Sequence, residues 1–201
     1  MISERVQKEI DSAREFGEQL EEVVVSKNQL PNRDQRDVLL IGYWGTMFDF
    51  HKGILLLLQS EFSGSAFALV RPAVEANIRA HITIIGRPDD LEKLANDEYR
   101  TNFKNVGKQI DDAFALEGLM ETLLNNSKEA LHGYTHVGLL QLGRRFKGDD
   151  VTPNYSDDEI VEMIQATSSA MFMISNLVTK HFGFEEDWKK VGDLFAVWGK
   201  H

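Results

Sequence analysis

Between residues 66 and 86 the sequence reads AFALVRPAVEANIRAHITIIG, an apolar run approaching the length that crosses a bilayer. Arg71, Glu75, Arg79 and His81 lie inside it and Pro72 interrupts it, and charge at that density is costly in hydrocarbon. The same groups are equally costly unpaired in a protein core. The segment is therefore expected to be a helix packed inside a water-soluble bundle, with polar residues that either pair with neighbouring helices or serve a ligand. At about 100° per residue, Arg71, Glu75 and Arg79 fall at about 0°, 40° and 80° around that helix. Apolar residues wrap most of the remaining circumference, so the stripe should be partly occluded, with Glu75 wedged between the two arginines. Pro72 deprives the Ala68 carbonyl of its helical partner and is expected to kink the helix beside Arg71.

The rest of the chain has the same helical period. Ser3 is a plausible N-cap for a helix over about 3–27 carrying Val6, Ile10, Ala13, Leu20 and Val24. A second helix, about 34–60, has the stripe Leu40, Tyr43, Met47, Phe50, Ile54 and Leu57, with Trp44, Phe48 and Leu55 on other sides. Apolar on so many sides, it is expected to be central and largely buried, its Gly42, Gly45 and Gly53 marking close approaches of other helices. Ser63 or Ser65 should cap the third helix, about 64–85. Residues 89–130 mix acids and bases and predict two or three solvated helices rather than core, broken at Gly118 and at Asn125-Asn126-Ser127.

A further core helix is expected over about 135–146. FKGDDVTPNY then reads as a loop before the capping pattern Ser156-x-x-Glu159 and a regular apolar series over about 156–182. Trp188, Val191, Phe195 and Trp198 suit a short terminal helix. No alternating run is long enough to demand a sheet. The expected class is all-α, one domain over 1–201, a bundle of about six to eight helices with at most a minor hairpin.

Charge and composition limit the function classes. The chain has 32 Asp and Glu against 22 Lys and Arg, a formal net charge of −10, which disfavours extended DNA binding or attraction to anionic lipid. It has no cysteine, which excludes a disulfide framework, a thiolate metal site and a thiol nucleophile. The charged start MISERVQKEIDSAREF lacks the apolar region of a signal peptide, so a cytoplasmic protein without membrane association is expected.

The second polar segment is LHGYTHVGLLQLGRRF, residues 131–146. His132 and His136 stand four apart, a spacing that suits a metal such as zinc with Glu75 as third ligand. Gly133 argues against one continuous helix there, so no metal and no cofactor is expected. With Gly133 ending one helix and Thr135 capping the next, His136 would sit at a helix N-terminus, where an anion is favoured. Arg144, eight residues on, lies about 80° round from it. The candidate site is thus His136, Glu75, Arg71 and Arg144 in catalytic roles, with Arg79, His132 and Arg145 binding a small anion such as a phosphate or carboxylate. His51 and His81 read mainly as core or surface residues, His181 as a helix-end residue and His201 as tail.

ALVRPAVEANIRAH and LHGYTHVGLLQLGRRF…PNYSDDEI, about half of the chain, resemble an uncharacterised bacterial all-helical family, a domain of unknown function. More loosely, a helical bundle with an Arg/Glu stripe and a nearby His is similar to the HEPN superfamily, though the Arg-x4–6-His signature is absent. That likeness implies a metal-independent RNase of toxin or phage-defence type, His136 acting as general acid or base and the arginines stabilising the phosphorane. The alternative from the residues alone is a non-enzymatic interaction protein, possible as a homodimer, whose charged stripe is structural.

Overall fold

The structure, a computed structural model, describes residues 2–25, 34–118, 120–125 and 142–199. Its elements are α1 (Glu4–Val25), α2 (Gln35–Gln59), α3 (Ser63–Ile85), α4 (Pro88–Ala95), α5 (Phe103–Phe114), a helical stretch at 120–125, a hairpin of β1 (Phe146–Lys147) and β2 (Asp150–Val151), α6 (Asp157–His181) and α7 (Glu185–Trp198). The protein is all-α, and no described helix is long and apolar enough to cross a membrane.

The helix starts follow local side-chain chemistry. The Ser3 hydroxyl accepts from the Val6 N–H at 3.2 Å. Asp34 and Asp37 form a reciprocal capping box on α2, as Ser156 and Glu159 do on α6, so two otherwise unpaired donors are satisfied at each end. The third helix departs from expectation: neither Ser63 nor Ser65 caps it. Phe62 is the N-cap and makes no side-chain cap bond. The chain reverses through Glu61, at φ 62°, and the Phe62 N–H returns to the Leu57 carbonyl at 2.8 Å, so backbone bonds close this end. From there α3 runs unbroken through Pro72 to Ile85.

Four helices enclose the core. Arg5 meets Asp158 at the starts of α1 and α6, which therefore run parallel. His51 lies level with Ala13, and Leu40 packs in one cluster with Leu20 and Val24, so α2 runs antiparallel to α1. The tight turn at 60–62 sends α3 back along α2, and Asn77 reaches the Ala170 carbonyl of α6 at 2.6 Å. Two apolar clusters divide this bundle lengthwise. One joins Ile10, Ile54, Leu58, Phe67 and Ile164. The other joins Leu20, Leu40, Met47, Ile174 and Val178, and α7 seals it by stacking Trp198 on Phe16 at 4.9 Å and Phe195 on Phe172 at 4.0 Å.

Three expectations need correction. Residues 89–125 are not simply solvated: Leu91, Leu94, Val106, Ile110, Met120 and Leu124 are buried against Ile78 and Ile82 of α3 in a third cluster. These short helices each have one narrow apolar side, easily outweighed in a composition count. Gly118 does break the chain, at φ 84°. The helix expected over 135–146 stops by residue 143; its earlier part lies outside the described residues. Phe146 instead pairs with Val151, and Gly148 at φ 65° turns the hairpin, so FKGDDV is not a plain loop. Finally, Gly53 meets the Leu69 side chain, but beside Gly42 and Gly45 of α2 nothing lies within 4 Å of where a Cβ would stand.

The approach of α5 to residues 120–125 is close. A Cβ on Gly107 would stand 2.6 Å from the Glu121 Cα, and the Asp111 carboxylate accepts both the Met120 and Glu121 N–H groups. Gly107→Ala is therefore expected to cost about 2 to 3 kcal/mol, because backbone and not a flexible side chain must yield. Gly192→Ala, in open space on α7, should be neutral or stabilise by up to about 1 kcal/mol. Urea unfolding of the two variants checks the contrast.

Candidate functional site

The polar groups of α3 leave the helix on several sides. Arg71 Nε donates to Glu75 Oε1 at 2.9 Å, one turn apart, and both side chains are about a quarter exposed, at 26% and 28%. The Arg71 guanidinium also lies 5.8 Å from the ring centre of Phe103, the first residue of α5. Arg79 turns away from Glu75. Its guanidinium reaches Asp97 Oδ1 at 3.2 Å and the Tyr99 carbonyl at 3.4 Å, in the loop between α4 and α5. Burial works against the charged form of Arg79, but its bonds to Asp97 and the Tyr43 side chain outweigh this and hold its pKa up. The expectation that Glu75 is wedged between two arginines is thus replaced by two separate pairs, because the loop at 97–99 folds over the second arginine.

Arg144 and Arg145 follow the short helical turn at 142–143. Arg144 grips Glu159 with both terminal nitrogens, donates to the Asn154 carbonyl at 3.1 Å, and lies 5.6 Å from the Tyr155 ring centre. Burial pushes the Glu159 carboxyl up, but hydrogen bonds from Ser156 and the adjacent Arg144 bring it below its usual range. Glu159 therefore closes an ion pair and a helix cap at once. The Arg145 guanidinium lies at the first turn of α3, with Nη2 3.3 Å from where a Gly64 Cβ would be, and the Tyr155 hydroxyl is at 3.4 Å from the same point.

Along α3, at 1.5 Å per residue, Gly64 is about 10 Å from Arg71 and about 22 Å from Arg79. Gly64, Arg71 and Glu75 fall on one side of the helix. The structure therefore sets Arg145 along the face of α3 that carries Arg71 and Glu75, while Arg144 is held by Glu159 at the start of α6 and Arg79 by the loop at 97–99. His132 and His136 lie outside the described residues. Among the described residues no group of three metal-binding side chains occurs.

Several polar residues that organise this region carry no sequence signal. Arg36 of α2 donates to the carbonyls of Thr83, Ile84 and Gly86, closing the C-terminus of α3. Asn77 bonds α6, and its own carbonyl faces His81 Nδ1 at 2.8 Å, which places the proton on that nitrogen. Trp44 Nε1 donates to Ser175 at 3.2 Å, and His181 meets Asp37 at 2.7 Å. A periodicity argument finds helix faces, not partners 50 to 140 residues away.

The two buried histidines are neutral. Desolvation pushes His81 down, and it lowers His51 to about 4, helped by neighbouring Lys52 and only partly opposed by the Ala13 carbonyl. His51 Nδ1 is buried without a hydrogen-bond partner, beside a small cavity of about 130 Å³ lined by Gly17, Phe48, Leu55 and Met171. An acid or base poised for work near neutrality it is not.

A family profile described as a family of unknown function (DUF6988) matches residues 45–195. No curated protein and no solved structure matches.

Acid sensitivity follows from His51. Its folded pKa of about 4 lies below the unfolded value of about 6.5, so the unfolded chain binds the extra proton between those limits. The stability from keeping His51 neutral is complete above about pH 6.5 and lost as pH falls towards 4, by about 3 kcal/mol in total. His51→Leu should flatten that part of the profile. Urea midpoints at pH 7, 5.5 and 4.5 check this, and parallel profiles for the two proteins would contradict it.

Proposed function

The chain belongs to the DUF6988 family, whose profile covers residues 45–195, and we propose that it works by association with another protein rather than by catalysis, its charged stripe being a packing device. The observation that carries this reading is that Arg71, Arg79 and Arg144 each hold a carboxylate of the same chain: Glu75, Asp97 and Glu159. A ligand anion arriving at any of them displaces a partner already in place. Arg79 and Arg144 tie α3 and the segment after residue 143 to the loop at 97–99 and to the start of α6, and the Arg144 fork does so with a defined direction. The absence of cysteine agrees with a cytoplasmic setting.

The competing reading is a pocket for a phosphate or carboxylate, and most specifically metal-independent RNA cleavage in toxin or phage defence with His136 as general acid or base. The alignment of Arg71, Glu75 and Arg145 along one side of α3 is the observation on its side. It requires those arginines to exchange an internal carboxylate for a phosphate, in a chain whose net charge of −10 repels polyanions.

The two readings separate in one experiment. A thermal-shift series with inorganic phosphate, mononucleotides and short RNA, each up to millimolar concentration, is expected to leave the melting temperature unchanged, and gels should show intact RNA with and without EDTA. A ligand at about 100 times its Kd would add about 2.7 kcal/mol of stability, well within detection. Stabilisation by an anion that Arg71→Ala abolishes, or cleavage that His136→Ala abolishes, would replace the association reading with the pocket.

A further inference from the structure

Helices α1 and α2 belong to the same bundle, with eight exposed residues between Glu4 and Glu22 of α1 and eight on α2, yet they face water with different chemistry; Val25, the last residue of α1, is exposed as well. From Glu4 to Glu22 of α1, seven of the eight are charged, Gln19 being the exception. From Gln35 to Gln59 of α2 only Asp49 and Lys52 are charged, and Lys52 is tied to Glu21 of α1 at 2.6 Å. Apart from Gln35 and Gln59 at the two ends of the helix, the rest of the outer side of α2 is apolar or small. Val38 is 57% exposed and Leu56 64%, and between them run Gly42, Gly45, Thr46 and Gly53. At about 100° per residue these positions and Asp49 lie within a sector of about 100°, opposite the buried Leu40, Met47, Ile54 and Leu58. A helix apolar all round is expected to be covered all round. Here one side stays open along about 27 Å.

The glycines make the same point. Gly42 and Gly45 weaken the helix by about 1 kcal/mol each relative to alanine. No described residue lies within 4 Å of where a Cβ at either position would stand. Among the described residues, the close helix approach for which such positions are suited does not occur within the chain.

We propose that the outer face of α2 is a dimer interface, covered by the same face of a second copy packed antiparallel. This rests on the association reading and names its partner. Charge selects the occupant. Two chains of net charge −10 repel, and bringing together outer faces like that of α1, with Glu4, Asp11, Glu15, Glu18 and Glu22, would oppose acid to acid. The face of α2 lets two copies meet with one acid each. A two-fold contact must also be complementary to itself. With the axis at the level of Met47, residue i lies opposite residue 94 − i, so Val38 faces Leu56 and Asp49 faces Gly45 of the other copy. Each larger side chain meets a small or apolar one, and the two aspartates are offset by four residues, about 6 Å along the axis. Contact through a single helix face is small by dimer standards, which places the expected affinity in the micromolar range.

Sedimentation velocity of the full chain from about 1 to 200 μM tests the proposal, with the 22.8 kDa monomer giving way to a species of twice that mass as concentration rises. Gly45→Arg should weaken association at least tenfold while helicity and the melting temperature of the dilute protein stay unchanged, since the new side chain meets nothing in its own chain. Register is read by cross-linking, for which the cysteine-free sequence is a clean background. Thr46→Cys, next to the axis, should form a disulfide dimer under mild oxidation. Val38→Cys alone should not, whereas Val38→Cys mixed with Leu56→Cys should. A protein that stays monomeric at 200 μM, or a dimer that Gly45→Arg leaves intact, overturns the proposal. Neither result produces RNA cleavage or an anion-dependent shift, so failure here is distinct from failure of the association reading.

Discussion

The half-buried charges of α3, with its buried Asn77, are the constraint on which the arrangement of the other helices depends. These polar groups each need a partner, and the partners lie on different elements. Arg71 faces Glu75 and the ring of Phe103 at the start of α5. Asn77 bonds the Ala170 carbonyl of α6, Arg79 holds the loop at 97–99, and the last carbonyls of α3 receive Arg36 from α2. Apolar burial supplies most of the driving force but is indifferent to rotation of one helix about its axis. Directional bonds with partners in place are not, because a helix turned out of register leaves a donor or charge unpaired in a low-dielectric setting. Arg79, the member of the stripe whose carboxylate partner lies off the helix, thus has a sufficient explanation in register.

Much of the fold is legible because it rests on local or periodic chemistry. Ser3, Asp34 and Ser156 cap helices where hydroxyl or carboxylate precedes an apolar series, and the faces of α1 and α6 follow from a 3.6-residue period. The hairpin at 146–151 is two residues per strand, too short for alternation to register. Neither Arg36, which closes α3 from α2, nor Asp111, which caps residues 120–125, differs in sequence from an ordinary surface residue of a helix. Arg144 illustrates the limit well. Helical spacing counted from His136 carries no information about the grip of Arg144 on Glu159, which depends on the chain turning at 144–149.

The two unusual surfaces of α2 and α3 are complementary observations. On α3, charge lies where apolar residues are expected, and it is paired within the chain. On α2, apolar and small residues lie where charge is expected, and at Gly42 and Gly45 no described residue lies within 4 Å of where a Cβ would stand. A protein of this charge that retains an open apolar helix face gains nothing from it as a monomer, since exposed apolar surface favours non-specific association. Function by assembly accounts for both surfaces with one fold and asks for no catalytic group. The buried His51 and His81, held neutral by desolvation, fit a core rather than a reaction centre.

The most direct test of the claim that the stripe is structural is a double-mutant cycle on Arg71 and Glu75 by urea unfolding. Both side chains are about a quarter exposed, so solvent screening keeps the coupling modest, about 1 kcal/mol. Arg71→Met and Glu75→Leu should each destabilise by about 1 to 2 kcal/mol, and the double variant by clearly less than their sum, because the second change removes the charge the first left unpaired. Strictly additive losses, or singles as stable as the parent, would contradict the account and return the arginine to a role in binding.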